Sequence, residues 1–494
     1  MPKPTHIFFL VSIAMILCVL GGQAQSFPSS TDPASTQPMD PYPSLSQAEG
    51  GIKTADSGQE VTVSAQLVPD TRPLTGAQDL TLGTYSNAHN FLLPSISLTT
   101  QLDKNPPASG YNNVTSLSYL LGRLDLSHVS RRSQLSLNYL GGGTLSTYGD
   151  IGNSIVQDLG FLESFNWRRW SLLLDNQVSY LTPFGFGGVG GSGFLANASQ
   201  FAPGVGVGGG ATALQPILTP SQTIPTTGVP QLSNTVVTQA EYHFSRRSSW
   251  TAMGSYGLLQ FFGAGYTNSS NALFQTGYNY QVSREGTIAV LYRFDEIRFT
   301  RRAQGINDHV MQLSYARRIG GRLSFQAAAG PDIQTFQAPV SGSSTSASWS
   351  LHTTLNYQLR RSTSLGAGYD HLLTGGSGVL VGAQTDQVQG TLQRTLTRSW
   401  QGSVSAGFAR NEALNQTASS ANQGQFNSWY GTVRLSHQLR PGTDFFLAYS
   451  MRTLGENTAA CAGQDCGTSA VSHEISFGFN WGLHPTAFPQ LGQR

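Results

Sequence analysis

From Trp349 to Leu359 every second residue is of one kind: Trp, Leu, Thr, Leu, Tyr and Leu on one face, Ser, His, Thr, Asn and Gln on the other. Successive side chains of a β-strand point to opposite faces, so this run reads as a strand with one greasy and one hydrated side. Ile475, Phe477, Phe479, Trp481 and Leu483 alternate in the same way with Glu474, Ser476, Gly478, Asn480 and Gly482. So do Phe274, Thr276, Tyr278, Tyr280 and Val282 with Gln275, Gly277, Asn279 and Gln281. Such runs last about 10–14 residues, whereas strands of soluble domains average about 5–6. A strand tilted by about 45° needs roughly 9–11 residues to cross a bilayer. Length and pattern agree on strands with one face toward lipid and the other toward water. Segment 114–127 alternates poorly.

The runs come in pairs around short turn signals: Ser130-Arg131-Arg132, Arg168-Arg169, Ser245-Arg246-Arg247, Arg284-Glu285-Gly286, Ile319-Gly320-Gly321, Arg360-Arg361-Ser362, Thr397-Arg398-Ser399 and Arg440-Pro441-Gly442. They recur about every 35–43 residues, with one interval of about twice that length. The period also suits a β-propeller blade of about 40–45 residues. A blade divides that length among four short strands, however, and each period here supplies two long ones with no recurring Gly-His or Trp-Asp signature. Counting the runs predicts about eighteen antiparallel strands (sixteen to eighteen) in an all-β, up-and-down transmembrane barrel. Every tight turn then falls on one rim and every long connection on the other, as in bacterial barrels.

Composition points the same way. Charged residues are only 11% of the chain, and Gly alone numbers 56, where soluble domains carry about 25% charge. A net charge of +2 gives no support to nucleic-acid binding. Lys occurs only at positions 3, 53 and 104, so 25 of the 28 basic residues are Arg, most of them in or beside the tight turns. Guanidinium groups hold phosphate bidentately, so the turn rim is expected to engage outer-membrane lipids. Trp167, Trp170, Trp250 and Trp400 adjoin the turns while Trp349 and Trp429 lie at the far strand ends, the placing of two interfacial aromatic girdles.

Residues 1–24 read as a signal peptide: Lys3 and His6, the apolar run Ile7 to Leu20, then Gly22-Gln23-Ala24 at the cleavage positions. Residues 25–90 are rich in Pro, Ser and Thr and are expected to form a flexible periplasmic extension. The barrel is expected over 91–483, and 484–494 form a tail. Cys461 and Cys466, four residues apart in an exported chain, are expected to close a small disulfide loop.

The glycine runs lack the Gly-Lys-Ser/Thr of a phosphate loop. The ten His residues form neither His-Glu-x-x-His nor a Cys/His cluster. No catalytic, metal or cofactor site is nominated. Alternation turns Glu241, His243, Arg293, Asp295, His352, Arg434, Arg452 and Glu474 inward, a set of mixed sign that suits a weakly selective pore.

Taken together the chain resembles the outer-membrane β-barrel proteins of Gram-negative bacteria, porin-like ones in particular. Ser476-x-Gly478-x-x-Trp481-x-Leu483 looks like the family's C-terminal insertion signal, which implies recognition by the barrel-assembly machinery. The 182–233 connection, with its glycine runs, is similar in position to the loop that general porins fold into the lumen. The resemblance implies a passive channel for small hydrophilic solutes or oligosaccharides. The alternative is a barrel that binds or assembles, for example in exopolysaccharide export. Oligomeric state is left open.

Overall fold

The computed structural model describes most of residues 91–487; residues 1–90, 182–229, 415–424, 456–469 and 488–494, together with a few short turn and loop positions, lie outside the described residues. The signal peptide, the 25–90 extension, the 182–233 connection up to residue 229, the two cysteines and Leu483 therefore lie outside them as well.

Eighteen strands form the wall. They are β1 (Phe91–Lys104), β2 (Val114–Val129), β3 (Ser133–Ser146), β4 (Ser154–Asn166), β5 (Trp170–Leu181), β6 (Gln231–His243), β7 (Ser248–Phe261), β8 (Ser269–Ser283) and β9 (Gly286–Phe299). The second half comprises β10 (Gln304–Ile319), β11 (Leu323–Ala338), β12 (Gly342–Arg360), β13 (Thr363–Thr374), β14 (Ala383–Thr395), β15 (Trp400–Ala413), β16 (Gln425–Arg440), β17 (Thr443–Gly455) and β18 (Ala470–Gly482). Each pairs antiparallel with its neighbours in sequence, and β1 closes the ring against β18 from Ser95↔Gly482 to Lys104↔His473. A nineteenth segment, β19 (Thr486–Ala487), runs on in the direction of β18 and pairs antiparallel with Leu92 and Phe91 of β1. Closure leaves no strand edge for another chain to extend. It also satisfies the backbone internally, which lipid requires.

At the tight turns serine hydroxyls take over backbone hydrogen bonding. Ser245 Oγ accepts from the N–H groups of Arg247 and Ser248, each at 3.1 Å, and Ser130 Oγ accepts from Ser133 N at 3.1 Å. In β11, Pro331 has no N–H to give, and the β10–β11 ladder skips Met311 and Gln312 before resuming at Leu313↔Ala329 in the same register.

Alternation along the strands sorts the faces. Ile288, Val290, Met311, Leu313, Ile333, Val404, Val433, Leu447, Ile475 and Phe477 are exposed on the outside, as are all seven Trp residues. Trp400 stands level with His437 of β16, and Trp429 lies eight residues further along that strand. At about 3.3 Å per residue that is about 26 Å of strand, or about 20 Å of height at a tilt near 40°. This approaches the roughly 25 Å apolar band of an outer-membrane barrel. With strands about 4.8 Å apart and the same tilt, eighteen of them enclose a backbone cylinder about 36 Å across.

Candidate functional site

The inner wall carries the polar chemistry. Glu241, Arg293, Asp295, His352, Arg434 and Glu474, all expected to face inward, are buried on that face, and His243 shares the inward side of β6 with Glu241, their side chains 3.9 Å apart. Arg452 has the inward strand position opposite Tyr430; its side chain lies outside the described residues. The wall holds more acid than those eight positions reveal. Asp103, Asp125, Asp158, Asp175, Asp308, Asp332, Asp370 and Asp444 also take inward positions in their strands. With Glu241, Asp295 and Glu474 they make eleven inward carboxyls, against the guanidiniums of Arg123, Arg293, Arg318 and Arg434 among the described side chains. The inward positions of the described residues thus mix both signs and carry more acid than base.

Local pairs fix several of these groups. Arg123 Nε donates to Asp125 Oδ2 at 2.7 Å and Arg123 Nη2 to Oδ1 at 3.0 Å. His352 Nδ1 is hydrogen-bonded to Asp370 directly across the β12–β13 ladder. The Arg434 guanidinium lies 4.0 Å above the Phe446 ring, a cation–π contact. That ring needs Gly478. A Cβ there would stand 2.6 Å from Phe446 Cζ and 2.7 Å from Thr99 Oγ1. Of the four residues expected to form the insertion signal, Ser476 and Gly478 thus face inward, Trp481 faces out, and Leu483 is not among the described residues.

A second element crosses the interior at the rim opposite the tight turns. The wall pairing of β12 with β13 ends at Leu351↔His371, while β12 continues to Gly342 against β11 alone. Above that point the β13–β14 tip leaves the wall. Leu373 packs with Ile297 and Phe299 of β9, Ile306 of β10 and Phe336 of β11, and Val381 and Leu414 pack against the same cluster. Gly376 (φ 76°) and Gly382 (φ 79°) sit in the left-handed region on either side of the tip, a conformation that side chains with a Cβ rarely adopt. Leu380 N donates to Gly376 O at 2.9 Å.

Where the tip departs, His371 is held on three sides. Its ring stacks on Trp349 at 4.0 Å. Its Nδ1 lies 2.6 Å from Asp386 Oδ1, which also accepts from Tyr369 Oη at 2.9 Å. Its Nε2 is 3.0 Å from Gln384 Nε2, so the donor of the imidazole is Nδ1–H toward Asp386 and its acceptor is Nε2. Gln334 Nε2 then ties tip to wall, donating to Gln384 Oε1 and to Asp332 Oδ2, each at 2.9 Å. The 182–233 connection, which by resemblance would fold into the lumen, lies outside the described residues up to residue 229; among the described residues the β13–β14 tip turns inward. Its signal was the Leu372-Leu373 doublet, which interrupts alternation, followed by Leu380-Val381 between glycines. Among the described residues no group of three His, Cys, Asp or Glu side chains could hold a metal ion.

A closed even-stranded antiparallel barrel, apolar outside and charged inside, with tight turns at one rim and longer connections at the other, has the architecture of a porin-like outer-membrane barrel. No protein-family model matches the chain, and no curated protein matches it either. Among solved structures it is similar to Pseudomonas aeruginosa OccK2 (OpdF), crystallised with glucuronate, at 10% identity and a TM-score of 0.41, covering 80% of this chain and 98% of that one. P. aeruginosa OpdK matches at 8% identity and a TM-score of 0.41, covering 79% and 98%. Acinetobacter baumannii OccAB3 matches at 10% and 0.39, covering 79% and 99%. These likenesses are loose, and the reading of this chain rests on its own barrel.

Proposed function

We propose that the protein is a passive outer-membrane channel for small hydrophilic solutes or oligosaccharides, reached by export with its signal peptide. The observation that carries this reading is the charged inner wall enclosed by an apolar exterior. A barrel of this size holds an aqueous lumen, and hydrated charge on its inner face serves solutes that share that water. Selectivity is weak in size and cationic in sign. Acidic residues dominate the wall, but fixed charges act over only about 8 Å at physiological salt, less than the width available away from the tip. The arginine-rich turns would bind lipid phosphates, and the last strand would be read by the barrel-assembly machinery.

The test is current through the purified barrel in planar bilayers. Discrete, salt-dependent steps are expected, with a reversal potential of cationic sign under a salt gradient. A correctly folded barrel that inserts without passing current would refute the channel. The inward tip is the observation that favours the alternative, a barrel that binds or assembles, for example in exopolysaccharide export.

A further inference from the structure

We propose that the outer face of β5–β7 docks a second copy of this chain, in a two-fold pair of barrels joined through Asn176 and Asn234. The inference needs the barrel to sit in a bilayer and does not depend on what passes through it.

Both amides stand on the lipid face. Asn176 is directly opposed to Val236, which is exposed on the exterior, and Asn234 lies two residues from Val236 on the same side of β6. On β5, Asn176 is six residues from the girdle residue Trp170 and four from Tyr180, whose ring packs with Phe262. At about 3.3 Å per residue and a tilt near 40°, the amide lies about 15 Å above one aromatic level and about 10 Å below the other, inside the apolar band.

Asn176 Nδ2 donates to Thr235 O at 3.2 Å and to Asn234 Oδ1 at 3.0 Å. The backbone carbonyl fixes which end of the first amide is nitrogen, and the first amide then fixes the second. Among the described residues nothing engages Asn176 Oδ1 or Asn234 Nδ2. One spare acceptor and one spare donor thus lie side by side in hydrocarbon, where acyl chains supply neither partner. A two-fold axis along the membrane normal answers both needs at once. Asn176 Oδ1 of each copy meets Asn234 Nδ2 of the other, a reciprocity that a second copy has by symmetry.

The ground beside the amides is low. Thr238 and Gly254 are directly opposed across the β6–β7 ladder, as are Ala240 and Ala252. A Cβ at Gly254 would meet nothing within 4 Å. Short side chains let backbones of membrane segments approach closely. Tilted strands of two barrels cross steeply where their walls meet, so the contact is local and a low patch of this extent can receive it.

The test counts copies of the full barrel in phosphatidylcholine vesicles by single-molecule photobleaching, as protein is diluted into lipid. Wild type should pass from two dyes per particle to one. Asn176→Leu with Asn234→Leu should raise the dissociation constant about tenfold or more, roughly the loss of two hydrogen bonds of the size found between membrane segments. Gly254→Leu enters open space in its own chain and should weaken pairing by crowding the partner. Val236→Cys, with Cys18, Cys461 and Cys466 replaced by Ser, should cross-link to itself on oxidation, because a residue beside the axis meets its own copy. Val433→Cys, on β16 across the barrel, should not. A wild type that stays monomeric at high protein density leaves the patch to lipid or another protein and overturns the pairing. So does a count of three, a dimer of wild-type strength in the amide variant or in Gly254→Leu, or a dimer that Val236→Cys does not trap. Because Gly254→Leu keeps both amides, it decides the matter even if the amide variant does not fold. Counting dyes needs no current: a failed pairing leaves the channel reading standing, and a pair that passes no current loses the channel alone.

Discussion

Replacing Leu373 by Ala tests whether the β13–β14 tip is held across the interior by its apolar contacts. Leu373 is 5% exposed and packs on Ile297, Phe299, Ile306 and Phe336. The substitution removes three carbons, about 2.4 kcal/mol at about 0.8 kcal/mol each. A residual cavity brings the loss to about 3 kcal/mol, toward the low end of buried Leu-to-Ala changes. That is a factor of roughly 150 in the balance between docked and released tip. Single-channel records of Leu373→Ala should show excursions to a higher conductance that the wild type lacks. A cross-link supplies the converse. A Cβ at Gly375 would lie 3.6 Å from Ser269 Oγ, close enough for cysteines at the two positions to meet after a small side-chain adjustment. Ser269→Cys with Gly375→Cys, in a chain whose Cys461 and Cys466 are Ser, should bridge on oxidation. Combined with Leu373→Ala, it should suppress the excursions until reductant is added. If Leu373→Ala conducts with wild-type level and noise, or the oxidised pair fails to form, the tip does not lie against β8 and β9 as described.

Two further outcomes follow from the faces of the strands. Val433→Arg, which puts a charge on the apolar exterior in mid-strand, should cost about 2–4 kcal/mol of folding stability in lipid, while Thr432→Arg on the inner face should cost much less; equal losses in urea titrations of vesicle-folded protein would contradict the assignment. Gly478→Ala crowds the Phe446 ring and should cost about 1–3 kcal/mol, read in the same titration, and a wild-type midpoint would show that the ring has room to move.

Most of the wall was legible in the sequence because a strand between lipid and water must alternate over its whole length. Runs such as 349–359 and 471–483 announce their faces, and eighteen strands follow from counting them, although β12 begins well before its alternating run, at Gly342. The exception at 114–127 has a physical cause: Leu117, Tyr119 and Leu121 face inward and are buried with Val156, while Leu120 is exposed outside. Both faces are apolar there, and alternation vanishes. The inward position of Asp308, Asp332 and Asp370 was readable by the same alternation, and the acidic excess emerges only when every inward position is counted. The tip was harder to read. Its glycines suit any exposed loop, and the residues that hold it, Ile297, Phe299, Ile306 and Phe336, lie on strands distant in sequence. The Leu372-Leu373 doublet marks a break in alternation, but nothing local to 372–382 says that the wall of β9–β11 receives it.

The seam between β1 and β18 bears on how the molecule is made. A growing or truncated polypeptide that lacks its final strand has two raw borders, each a template for aggregation. No intermediate can seal itself early, and completion has to wait until β18 meets β1. Whatever escorts the unfinished sheet must guard both borders until they join.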